Sequence, residues 1–321
     1  MGRRGGTGLI AALAASALAG AAAFAWGSLI ERRLFTLREV TVPILPPGAE
    51  PIRVLHLSDL HMAPWQRDKQ RWVAGLVDLK PDLVVSTGDN LGHEDGLVGI
   101  RRALETYRGI PGVQVHGSND FYGPMRKSWF AYLKRHSGGV KKRKPDLDTA
   151  ALDRFFGETL GWLDLNNAVG SMTVNGTVLD FFGVDDPHVH RDRLGLLTRL
   201  IDEQKDDQTL DTDDPGLSRH VSIGVAHAPY QRVLNAFVTH GAQLILAGHT
   251  HGGQVCIPGY GAVVTNCDIP RSKVKGLSVW THALRSSFLN VSAGLGTSIY
   301  APVRFACRPE ATLLKLVAAQ H

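Results

Sequence analysis

A chain of 321 residues, 44% hydrophobic and 20% charged, has the composition of a folded globular protein and the length of one large domain or two small ones. Its net charge of +5, from 35 Lys and Arg against 30 Asp and Glu, forms no basic stripe along the chain, so nucleic acid is excluded as the expected partner. The three cysteines, Cys256, Cys267 and Cys307, are odd in number and lack metal-ligand spacing, which excludes a disulfide framework.

Arg3 and Arg4 precede an uncharged run from Gly8 to Ile30, closed by Glu31-Arg32-Arg33. As a helix this run crosses a hydrocarbon core of about 30 Å, and residues 1–34 are read as a single-pass N-terminal membrane anchor. Ala21, Ala23 and Ala25 offer an A-x-A-like site for cleavage of a secretory signal, but the run outlasts a usual signal core and continues through Trp26 and Leu29 to a charged stop. Arginines are nearly balanced across its flanks, so charge leaves the orientation open. Residues 35–50 are expected as a linker and first strand, and 51–321 as the globular domain.

Ile52 to Leu57 is a short apolar run rich in branched residues, a buried strand that ends in Asp59-x-His61. Lys69 to Leu79 reads as a helix. Leu83 to Thr87 is a second strand ending in Gly88-Asp89-Asn90, Gly99 to Tyr107 a second helix, and Gly112 to His116 a third strand ending in Gly117-Ser118-Asn119-Asp120. Strand, polar turn, helix, strand is the pattern of βαβ crossovers, which sets these three turns along one sheet edge. Arg126-Lys127, Lys134-Arg135 and Lys141 to Lys144, with Trp129, Phe130 and Tyr132, form a basic aromatic insertion suited to an anionic membrane surface or to guiding an anionic substrate; a solvated insertion has the same composition. Asp153 to Leu160 is expected helical, Ser171 to Asn175 and Thr177 to Gly183 a hairpin about Asn175-Gly176, and Asp202 to Asp214 an acidic, turn-rich loop.

Two more buried strands end in imidazoles: Val221 to Val225 leads to His227, and Leu244 to Ala247 leads to Gly248-His249-Thr250-His251-Gly252-Gly253. Asp-x-His alone is common by chance, and a lone His at a strand end is usually structural. Five strand ends finishing in Asp, Asn or His point instead to a metal cluster, with glycines that let the backbone approach it. His56, inside a strand, is read as a packed core residue. His188-x-His190 has ligand-like spacing in a charged loop, while Lys273, Lys275 and Arg304 are basic groups of the kind that bind phosphate or are simply solvated.

In this order, Asp59-x-His61, Gly88-Asp89, Gly117-Ser118-Asn119-Asp120, His227 and Gly248-His249-x-His251 resemble the calcineurin-like metallophosphoesterases. Gly183-Val184-Asp185-Asp186-Pro187, the run to Gln254, Gly294-Leu295-Gly296 and Arg304 to Leu314 are most similar to its membrane-anchored bacterial branch. The resemblance implies an α/β four-layer sandwich, two β-sheets flanked by helices, with a dinuclear site at the sheet edges. It implies Asp89 as the carboxylate between two divalent ions, Asp59, His61 and His251 on one, and His227 with His249 on the other. Mixed imidazole and carboxylate ligands suit Mn, Fe or Zn better than Mg. The implied reaction is hydrolysis of a phosphoester or pyrophosphate by direct attack of a metal-bridging hydroxide.

One turn departs from the resembled pattern. Gly-Asn-His-Asp or Gly-Asn-His-Glu is usual, the Asn a ligand and the His an aid to the leaving group; here Ser118 and Asn119 stand in those places. Either Ser118 ligates, or Asn119 turns inward, and the catalytic set is taken as Asp89, Asn119 and Asp120, with His116 or His93 as substitute acids. Losing an acid costs about 10²- to 10⁴-fold, least for good leaving groups. The expected substrate is a lipid-linked or cell-envelope phosphoester; a nucleotide phosphodiesterase and a non-catalytic metal-binding membrane scaffold are the alternatives.

Overall fold

The computed structural model describes residues 4–124, 144–210 and 220–319. It opens with helix α1 (Arg4–Ala25), which continues through a wider turn over Trp26–Ile30. Within this stretch Ala12–Arg33, 22 residues, is a helical segment long and apolar enough to cross a membrane.

Among the described residues, twelve strands form two six-stranded sheets. The first holds β1 (Thr36–Leu45), β14 (Glu310–Ala318), β2 (Ile52–Leu57), β3 (Leu83–Ser86), β4 (Gly112–Gln114) and β5 (Leu163–Asp164), in that order. Strands β2 to β5 run parallel, with β14 antiparallel to β2. The second holds β12 (Gly276–His282), β13 (Arg285–Val291), β9 (Leu244–Ala247), β8 (His220–Val225), β7 (Thr177–Gly183) and β6 (Ala168–Val174). Strands β7, β8, β9 and β13 are parallel to one another. A small hairpin, β10 (Cys256–Ile257) with β11 (Gly261–Ala262), stands apart from both.

Strand alternation builds the layers. On β2 and β3, Val54 and Val85 point between the sheets, where they meet Phe181, Ile223 and Leu246, while Leu55 and Val84 face outward. The outward face of the first sheet packs against α2 (Arg67–Gly75), α3 (Gly96–Leu104) and α4 (Thr149–Arg154) through Val73, Ile100 and Leu152. The second is covered by α5 (Leu194–Leu210) and α6 (Gln231–Thr239) through Leu197, Ile201 and Phe237. Helices, sheet, sheet, helices is the four-layer α/β sandwich expected from sequence.

His56 is fully buried between the sheets, as expected of a core residue: its Nε2–H donates to Thr87 Oγ1 (2.9 Å) and its Nδ1 accepts from Asn290 on β13 (2.9 Å). The acidic stretch corrects the sequence reading. Residues 202–210 continue α5 rather than looping, because Leu197 and Ile201 form a buried stripe while Asp202, Glu203 and Asp206 lie on its exposed side. Residues 211–214 and the basic insertion up to Arg143 fall outside the described residues.

Candidate metal centre

The parallel strands of both sheets end on the same side, and the turns after β2, β3, β4, β8 and β9 meet there. The turns are sharp. Asp59, His61, Asp89, His249 and His251 all adopt left-handed backbone, with φ between 39° and 68°, a conformation that costs L residues energy and clusters at functional sites. Glycines make the approach possible: a Cβ on Gly117 would overlap Asp89 Oδ1 and stand 2.7 Å from His227 Nε2.

Ligand atoms of Asp59, His61, Asp89 and His251 lie within 4.8 Å of one another. His61 Nε2 is 3.2 Å from His251 Nε2 and 3.4 Å from Asp89 Oδ2, while His251 Nε2 is 3.4 Å from Asp59 Oδ1. On the other side of Asp89, His227 Nε2 stands 3.6 Å from Oδ1 and 3.2 Å from His249 Nδ1. The rear nitrogens are committed elsewhere: His227 Nδ1–H donates to Thr87 O (2.7 Å), His251 Nδ1–H to Gly296 O (3.1 Å), and His249 Nε2–H to Asn266 O (3.1 Å). Their front nitrogens therefore all turn into one shared space, a donor set suited to a cation.

Electrostatics point the same way. Burial pushes His61 and His249 well below the usual imidazole range, and His251 down to about 3, so these rings are neutral donors. Burial would also lower His227, but the carboxylates of Asp89, Asp186 and Asp59 overcome it and raise that ring to about 9. Asp59 Oδ2 takes bonds from Ser58 Oγ (2.6 Å) and His249 N (2.9 Å), while its buried Oδ1 has no hydrogen-bond partner. An orphaned carboxylate oxygen among clustered imidazoles fits divalent cations.

In the turn after β4, Asn119 is the residue that turns inward. Its amide Nδ2 donates to Asp89 Oδ2 (2.7 Å) and its backbone N to Oδ1 (2.8 Å), while Ser118 holds the turn through its carbonyl, accepting from Tyr122 N (2.9 Å). Asp120, grouped from sequence with the catalytic set and read there as orienting its neighbour or capping the turn, ties two turns together. Fully buried, it accepts from Asn90 N, Leu91 N and Gly117 N at 2.7, 3.1 and 3.0 Å, which leaves its carboxylate no face for a substrate. The two substitute acids are engaged elsewhere: His116 lies 2.7 Å from Asp153 Oδ1, and His93 packs on Trp65 beside Asp95.

Further side chains surround the cluster, of which only Lys69 drew no notice in the sequence. His188, one of the pair in the charged loop, lays its ring 4.3 Å from that of His249 and sets Nδ1 3.0 Å from Tyr230 Oη; His190 only ends that turn in left-handed backbone. Asp186 is fully buried beside the cluster, one oxygen accepting from His188 N (2.8 Å) and the other without a partner. Lys69, wholly buried, donates to Leu60 O and His61 O beneath the first ligand turn. Arg304, a candidate phosphate binder by sequence, is fully buried and donates to Ala293 O, Gly294 O and Gly296 O at 2.8, 3.0 and 2.7 Å behind His251. Buried cations carry the same letters as solvated ones; only the Gly294-Leu295-Gly296 turn that Arg304 fastens was a signal.

The calcineurin-like phosphoesterase family profile matches residues 52–253. The chain is 25% identical over 320 residues to the uncharacterized metallophosphoesterase YkuE of Bacillus subtilis, covering 96% of this chain and 95% of that protein. It is 27% identical over 303 residues to a bovine (Bos taurus) transmembrane protein with metallophosphoesterase domain, covering 88% of this chain and 57% of the relative. Among solved structures, a dimetal phosphatase from Danio rerio is similar over 77% of this chain and 88% of its own, at 12% identity and a TM-score of 0.39.

Proposed function

This chain belongs to the calcineurin-like phosphoesterase family and is a phosphoric ester hydrolase, and from that premise we propose that it is a membrane-anchored, dinuclear enzyme for phosphoester or pyrophosphate bonds with good leaving groups. The observation that carries this reading is the pair of opposed imidazoles on either side of the Asp89 carboxylate. In this reading Asp59, His61 and His251 hold one divalent ion, His227 and His249 the other, and Asp89 touches both. Such ions, when bound, polarise phosphoryl oxygens and acidify a water enough to attack near neutral pH.

The chain's own residues do the rest. Asn119 fixes both oxygens of Asp89, and Asp120 ties the turn after β3 to that after β4. Asn119 carries no proton to give near neutral pH, so the departing oxygen leaves with little acid assistance. A pyrophosphate, or an ester of an acidic alcohol, suits that arrangement. The apolar helix over 12–33 supports a single-pass anchor over 1–34; a linker and first strand over 35–50 and a catalytic domain over 51–321 follow it in this reading, and the proposed substrate is lipid-linked or from the cell envelope. A nucleotide phosphodiesterase would share the site and use the anchor only for location.

Aryl phosphodiesters of graded leaving-group acidity test the missing acid. Turnover is expected to fall steeply as the leaving group becomes more basic. A flat dependence would mean that a side chain is donating the proton and would contradict the assignment.

A further inference from the structure

Where α1 meets the globular domain, the chain makes a firm joint. Gly27 packs so closely that a Cβ there would lie 2.6 Å from Arg304 O, and Gly27 O accepts from Arg304 N (3.2 Å). Glu31, buried, takes a bond from Cys307 N (2.7 Å) on one oxygen and from Trp26 Nε1 (2.9 Å) on the other. Beside this joint opens a cleft of about 480 Å³, lined in part by Trp26, Arg38, Lys275 and Arg308.

The charges in this cleft are sorted. Its two acids face inward with their oxygens engaged: Glu31 as above, and Glu310 by Arg38 Nε (3.2 Å), Arg38 Nη2 (2.9 Å) and Ala293 N (3.4 Å). Its cations are left at the opening. Arg308 is exposed and has no ion pair among the described residues, the Lys275 ammonium lies 3.8 Å from Cys307 Sγ, and Arg38 retains Nη1 outside its pair with Glu310. Trp26, 44% exposed, adds an indole about two turns before the apolar segment ends at Arg33. An interfacial Trp with unspent basic groups at the end of a membrane-crossing helix is at headgroup depth, where anionic phosphates are concentrated.

We propose that this cleft binds the phosphate headgroup of an anionic membrane lipid, seating the catalytic domain on the bilayer at the root of its anchor. The site rests on the reading of α1 as an anchor and is separate from the metal centre: no proposed metal ligand lines it. Its lining includes Ala306, two residues from the Arg304 that backs His251, so a bound headgroup lies beside the segment behind one ligand.

The full chain, reconstituted into phosphatidylcholine nanodiscs containing brominated phosphatidylglycerol or brominated phosphatidylcholine, provides the test through quenching of Trp26 fluorescence. Phosphatidylglycerol is expected to quench more strongly at equal content, the excess vanishing in Trp26→Phe. In Lys275→Gln/Arg308→Gln the half-effective phosphatidylglycerol content should rise by roughly fivefold for each cation removed. Equal quenching by the two lipids, or an undiminished excess in the double variant, would overturn the proposal. Binding of millimolar inorganic phosphate to the chain in pure phosphatidylcholine nanodiscs, with no excess quenching by phosphatidylglycerol, would also overturn it, assigning the cleft to free phosphate. Flotation with neutral vesicles reports separately on the anchor: a chain that fails to float refutes the anchor and the lipid site together, whereas one that floats without lipid preference refutes the lipid site alone.

Discussion

Asn119 stands where the resembled family carries a histidine, and its side chain is occupied in holding Asp89. Asn119→Ala removes one donor from that carboxylate while the backbone bond from residue 119 persists. Metal affinity, measured by titrating the stripped protein, is expected to fall about 10- to 100-fold, with turnover falling alongside. Unchanged affinity would show that the amide does not orient the carboxylate. His56 makes a different residue-scale prediction. Burial pushes this imidazole from its usual 6.5 down to about 3, so the neutral ring is the folded form. Its contribution is complete above pH 6.5 and is lost as pH falls from there toward 3, at about 1.4 kcal/mol per pH unit. Denaturant unfolding of wild type and His56→Gln at stepped pH should show the wild type losing stability faster over that window; parallel curves would contradict this account. At this scale the Asp and His ligand candidates were legible, because each follows directly on a buried strand. Lys69 was not, since its place depends on how distant turns pack; His188 showed only its ligand-like spacing to His190, and Asp186 only its place in the resembled run.

The elements themselves were mostly legible wherever apolar runs were short and bounded by Gly or polar turns, as in β2, β3, β8 and β9. Partnerships were less so. That β14 inserts between β1 and β2, pairing Thr312 with both Arg38 and His56, is set by contacts far apart in the chain and leaves no local trace. The far end of α5 was misread because its charges dominate the composition while two buried side chains decide the structure. The joint between α1 and the domain is likewise invisible in sequence, and it can be probed by two glycines. Gly27→Val would drive a side chain into Arg304 O and Val303, whereas Gly20 has nothing within 4 Å. Thermal unfolding of the full chain is expected to show a loss of about 1–3 kcal/mol for Gly27→Val and little change for Gly20→Val. Equal effects would mean that the joint is not packed as described.

Across the whole molecule, two sheets share one core and present their parallel strand ends to one place. Each sheet supplies part of the cluster: Asp59, His61 and Asp89 follow strands of the first, His227, His249 and His251 strands of the second. Cations held between them therefore tie the two halves together, and removing them should lower stability as well as activity. For a metal at about a thousandfold its dissociation constant, the loss on stripping is about 4 kcal/mol. The sequence carried the strand ends and their order. It could not carry the opposition of imidazoles across the sheets, or the buried cations beneath them.

The most direct test strips the full chain of metal, restores Mn, Fe, Zn or Mg in turn, and records bound metal per chain together with hydrolysis of a bis-aryl phosphate, for wild type and Asp89→Asn. Two metals per chain with restored turnover in wild type, and loss of both metal retention and turnover in Asp89→Asn, is the predicted result. Two metals bound with no turnover under any ion, or full turnover in Asp89→Asn, would contradict a dinuclear hydrolase built around that carboxylate.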